Sequence, residues 1–139
     1  MRMRRNKHGL PAFTLLESLL ALFVVSLLTL ILSGTVQRTF QVVQEQVFLW
    51  EFEALYKDSQ QLAANFQQEL TLKINEESLT NGYQTVRVPR QVTVLEEKSL
   101  VFYKNGGNSS LAKIRFRLKG KTVTYQLYMG SGRYKKSEE

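Results

Sequence analysis

Glu17 is the single charged residue in a twenty-residue apolar run from Phe13 to Leu32. An ionised carboxylate in hydrocarbon costs on the order of 3 kcal/mol unless a cation pairs with it. The chain supplies one if it is cut between Ala12 and Phe13. Phe13 then carries a free α-amine, and Glu17 lies one helical turn further on, on nearly the same face. The pair forms either within one chain or with the amine of a neighbour, and the spacing leaves both open. A carboxylate so close to a helix N-terminus is also favoured by the helix dipole.

A second constellation is cationic. In the segment "LAKIRFRLKGK", strand alternation turns Ala112, Ile114, Phe116 and Leu118 to a core and Lys113, Arg115 and Arg117 to one solvent face. Lys119 and Lys121 flank the turn, Arg133, Lys135 and Lys136 follow in the tail, and Tyr128 is expected on the outer face of the partner strand. Such a strip with a nearby aromatic can hold phosphates and stack a base. The same pattern also describes a solvated strand face whose charges discourage edge pairing, or a contact with an acidic subunit, the cell wall or anionic lipid heads. It is a candidate surface for DNA or for a partner.

Other chemistries are poorly supplied. The absence of Cys excludes disulfides, Cys-ligated zinc and thiol catalysis. The one His is His8, so the body has no imidazole for acid–base work or metal ligation. "NGGNSS" lacks the GK[ST] ending and following helix of a phosphate loop, and without a carboxylate it is a weak calcium site. The expectation is a protein that is not an enzyme, with no metal and no cofactor.

The elements that position these residues begin with a basic head: Arg2, Arg4, Arg5 and Lys7 precede the apolar run. The run is long for a signal peptide and right for a membrane span. No A-x-A-like cleavage site follows it, since no Ala occurs between Ala21 and Ala54. Positive charge at the head predicts a cytoplasmic N-terminus and an external C-terminal part. Beyond Leu32, Val36, Phe40, Val43, Val47 and Trp50 step by four and three, which predicts a helical stripe facing a core. With no Gly or Pro between Gly34 and Gly82, one helix is expected from Phe13 to about Gln68. From Leu70 the period changes to two: "LTLKI", the Asn81-Gly82 turn followed by Val86 and Val88, "QVTVL", "SLVFY", and a hairpin about "KGK". Gly130, Ser131, Gly132 and the charged tail are expected to end the fold. This is an α+β layout: a leader over 1–12, a membrane helix over 13–32, its external continuation over 33–69, and a small antiparallel sheet over 70–139.

"AFTLLESLLALFVVSLL" resembles the N-terminal signal of type IV pilins and pseudopilins, with Ala12 where that family usually has Gly. "VFLWEFEALY", "GGNSSLAKIRF" and "YQLYMGSGRYKK" are similar to the ComGD (CglD) group of minor pilins of Gram-positive competence pili. The resemblance runs from about Ala12 to Lys136. It implies cleavage by a prepilin peptidase between Ala12 and Phe13, N-methylation of Phe13, and assembly governed by Phe13, Thr14 and Glu17. It further implies a subunit of a filament needed for uptake of external DNA. Its partners would be other major and minor competence pilins and, indirectly, the assembly platform and ATPase. Two alternatives are a type II secretion pseudopilin and an uncleaved single-pass anchor carrying a binding domain.

Overall fold

The computed structural model describes residues 10–139, so the basic leader over 1–9 lies outside the described residues. The first element, α1, is an unbroken helix over Leu10–Phe66. Pro11 falls in its first turn, where the missing N–H has no helical partner to lose. Its end is a Schellman closure: Gln67 N–H bonds to the Ala64 carbonyl and Gln68 N–H to the Ala63 carbonyl, with Gln67 in the left-handed region at φ 51°. The helix therefore stops two residues before the expected Gln68.

The chain falls into two units, Met1–Phe40 and Gln41–Glu139. In the first, every described side chain from Phe13 to Phe40 is exposed. Three of its hydroxyls bond back into the helix: Ser18 donates to the Thr14 carbonyl at 2.8 Å, Thr29 to the Val25 carbonyl at 2.8 Å and Thr39 to the Thr35 carbonyl at 3.0 Å.

The second unit packs the C-terminal part of α1 on two four-stranded antiparallel sheets, where a single sheet was expected. The strands are β1 (Leu70–Ile74), β2 (Ser78–Thr80), β3 (Thr85–Arg87), β4 (Thr93–Val94), β5 (Lys98–Phe102), β6 (Lys113–Leu118), β7 (Lys121–Leu127) and β8 (Tyr134–Glu138). One sheet runs β3-β2-β1-β5 and the other β4-β6-β7-β8. "QVTVL" and "SLVFY", adjacent in sequence, thus join different sheets. The charged tail does not merely end the fold: Tyr134–Glu138 pairs with β7, from Val123 opposite Glu138 to Leu127 opposite Tyr134. Its run of Lys, Ser and Glu hid a strand that is specified by its neighbour rather than by its own propensity. The tight turn between β6 and β7 rests on Gly120 at φ +90°.

The core is aromatic. Phe52 meets Phe116 edge-on with ring centroids 5.0 Å apart and Tyr125 at 4.8 Å, while Tyr56 meets Phe102 at 5.1 Å and Tyr134 at 5.4 Å. Each such pair contributes about 1 kcal/mol beyond area burial. The helix face that reaches these rings is Phe48, Leu49, Phe52, Leu55, Tyr56, Ser59 and Ala63. The stripe expected to face the core does not. Val36, Phe40, Val43, Val47 and Trp50 all point outward, Val43 at 52% and Trp50 at 60% exposure. The helix carries apolar residues on two faces here, and periodicity detects a stripe without saying what covers it.

Candidate functional site

Phe13, Thr14 and Glu17 sit on consecutive turns near the start of α1, all exposed. Phe13 and Glu17 stand one turn apart, as the sequence required. Glu17 belongs to none of the ion pairs among the described residues, which join Lys98 and Arg115 to Glu96, Lys121 to Glu138, and Lys136 to Glu53. Ala12 lies within α1, directly before Phe13. Among the described residues α1 is the one helix long and apolar enough to cross a membrane.

The cationic strip is only partly assembled by the fold. On β6, Ile114, Phe116 and Leu118 are buried, with Lys113, Arg115 and Arg117 on the other face, as expected. The register places Lys113 opposite Gln126, Gln126 opposite Lys135, and Arg115 opposite Thr124. The outer face therefore presents Lys113, Arg115, Arg117 and Lys135 among Thr, Gln and Ser. Arg115 is partly neutralised by Glu96, whose carboxyl the hydrogen bonds from Lys98 and Arg115 hold below its usual range. Lys119 turns away: its N–H donates to Glu45 Oε1 at 3.0 Å and its Nζ to Gln41 Oε1 at 3.2 Å. Lys121 pairs with Glu138 at 2.8 Å and stands at an inward register position, opposite Leu118. That bond lowers the Glu138 carboxyl. Tyr128 is exposed just past the end of β7. The three cations expected on the face of β6 are there, Lys135 of β8 joins them, and Arg115 is the paired one.

Three features escaped the sequence. Glu45 is buried on the helix and accepts the turn N–H of Lys119, so a lone acid in an otherwise apolar face clamps α1 to the β6–β7 hairpin. Glu53 receives the Tyr125 hydroxyl and the Lys136 ammonium on one oxygen. Burial, with the Glu53 bond second, pushes the Tyr125 hydroxyl far up. The loops containing Gly106–Gly107 and Gly130–Gly132 interlock: Gly130 N–H bonds to the Asn108 carbonyl, and buried Asn108 donates to the Tyr56 hydroxyl at 3.0 Å. The sequence signal was the two glycine clusters, each legible as a loop but not as a pair.

An apolar helix with one acid on its fifth residue after Ala12, continuing into a helix laid on antiparallel sheets, defines the type IV pilin-like class. No family model matches the chain, and no solved structure matches it. A curated relative does: the chain is 44% identical over 133 residues, 96% of its own length and 83% of the relative's, to the protein named Competence protein ComGD of Streptococcus pneumoniae. At that identity and coverage, the chain belongs to the ComGD family of competence proteins.

Proposed function

We propose that the protein is a minor pilin of the competence type IV pilus, a structural subunit of a filament needed for uptake of external DNA in natural transformation. The observation that carries this reading is the solitary Glu17, four residues after Phe13 in the apolar part of α1, which is exposed from Phe13 to Phe40. The relative's name favours it over a secretion pseudopilin. The helix is held in the membrane with its basic head on the cytoplasmic side and the sheet domain outside, and it enters the filament after a prepilin peptidase cuts between Ala12 and Phe13.

In this mechanism the new amine of Phe13, N-methylated, meets the Glu17 carboxylate of an adjoining subunit. Each chain brings one amine and one carboxylate, so pairing between subunits satisfies all of them and sets the axial stagger. Unpaired, Glu17 in an apolar bundle would cost several kcal/mol. The Ser18 hydroxyl donates to the Thr14 carbonyl and so is satisfied within the helix. The sheet domain selects neighbours among the major and minor competence pilins, while the assembly platform and ATPase act on the helix end. The outer face with Lys113, Arg115, Arg117 and Lys135 meets phosphates of the DNA backbone without reading bases. The test is the intact mass of the protein from its native membrane with and without the peptidase. Loss of 1–12 with an added methyl, only when the peptidase is present, is expected; a full-length chain in both would leave an ordinary membrane anchor.

A further inference from the structure

A groove of about 640 Å³ runs between α1 and the loop joining β7 to β8. Trp50 and Ala54 form its helix wall, Tyr134 its opposite wall, and Lys57 and Arg133 stand on its rim. Glu53 also lines it, but its charge is matched by Lys136 at 2.9 Å. Lys57 and Arg133 take part in none of the ion pairs among the described residues, so the groove has two uncommitted cations. The indole of Trp50, the chain's single Trp, is 60% exposed although the core beside it is dense with aromatic rings. The loop is held against the helix at the groove's end. A Cβ on Gly132 would come within 2.0 Å of the Gln60 side chain and 2.9 Å of the Gly106 carbonyl.

We infer that this groove binds single-stranded nucleic acid, with a base stacked on Trp50 and the flanking phosphates on Lys57 and Arg133. A flat aromatic beside separated cations is the combination that grips an unstacked nucleotide. The bases of an intact duplex hide their faces in the stack, so the groove takes a single strand or a frayed end. The basic face of β6 and β8 is different in kind, since its neighbours are Thr, Gln and Ser and it offers phosphate contacts alone. A lipid headgroup or an acidic peptide would use the cations but not the exposed indole as a stacking platform. The inference rests on the competence-pilus reading for its biological meaning only.

The full chain in detergent micelles provides the test, because Trp50 is its own reporter. A twelve-residue oligo-dT should quench the indole fluorescence. A covalently closed duplex without ends, polyphosphate, poly-glutamate and phosphatidylglycerol vesicles should not. With labelled oligo-dT read by anisotropy, Trp50→Leu should weaken binding roughly ten-fold. Lys57→Gln with Arg133→Gln should flatten the salt dependence by about 1.4 in log–log slope, the share of two single-strand phosphates. Unchanged affinity in both variants overturns the proposal. So does equal binding of polyphosphate that ignores Trp50→Leu, which would make this a general polyanion surface, and so does quenching by vesicles or poly-glutamate in place of oligo-dT. The peptidase-dependent mass change is read separately, so failure here and failure of the pilin reading are distinguishable.

Discussion

The Tyr125 hydroxyl donates to Glu53 Oε1 at 2.7 Å, joining the C-terminal part of α1 to a central strand of the β4-β6-β7-β8 sheet. Lys136 donates to the same oxygen from β8 at 2.9 Å. One carboxylate on the helix thus ties down two strands. Replacing Glu53 with Ala leaves the Tyr125 hydroxyl without its acceptor, and the expected loss is about 2 kcal/mol, in the range of hydrogen bonds to charged groups. Glu53→Gln keeps an acceptor and should lose about half as much. Urea unfolding of the full chain in detergent checks both; equal losses would show that charge, not the acceptor, matters.

Stability should depend on pH at both ends. Glu96 and Glu138 have depressed carboxyls in the folded state, so they favour folding above the usual value of 4.5 and lose that effect as pH falls through their folded values. Tyr125, Tyr56 and Tyr134 have raised hydroxyls, chiefly from burial. Their contribution is complete below the usual value of 10.0 and is lost as pH rises above it. A plateau across neutral pH with a fall on each side is expected from thermal melts. Glu96→Gln should flatten the acid side only.

The two faces of α1 should respond oppositely to truncation. Phe52 packs on Phe116 and Tyr125, and Phe52→Ala should cost about 4 kcal/mol. Val43→Thr, on the exposed face, should change stability by less than about 0.5 kcal/mol. Denaturant midpoints decide it; a large loss for Val43→Thr would put that stripe back in the core.

Gly107 and Gly120 separate space from backbone conformation. A Cβ on Gly107 would lie 2.6 Å from the Gly130 carbonyl, so Gly107→Ala must force the interlocked loops apart, at about 2 to 3 kcal/mol. Gly120 has open space but φ +90°, and Gly120→Ala should cost about 1 kcal/mol from backbone strain alone. The order of the two melting temperatures is the measurement.

Glu17→Ala should leave folding, membrane insertion and the proposed removal of 1–12 unchanged, because Glu17 is exposed and takes part in no ion pair among the described residues. Filament incorporation should fall by more than ten-fold, read as the share of protein in sheared surface filaments. Normal incorporation would remove Glu17 from the mechanism.

Much of this was legible in the chain itself. The Phe13–Glu17 spacing, the apolar run, the unbroken helix and the alternation that buries Ile114, Phe116 and Leu118 are local patterns, and local patterns survive into the fold because helix and strand periods are properties of the backbone. Which apolar face of α1 meets the sheets was not local. Trp50 and Phe52 are two residues apart and equally apolar, yet only Phe52 finds the Phe116 and Tyr125 rings. The same holds for β8, whose polar residues become a strand because β7 offers an unpaired edge, and for Lys119 and Lys121, whose ammonium groups go to Gln41 and Glu138 some 78 and 17 positions away. Sequence alone therefore determined where a helix runs and where strands alternate. The tertiary structure decided which surfaces are covered, because burial and pairing depend on partners that the chain brings together only by folding.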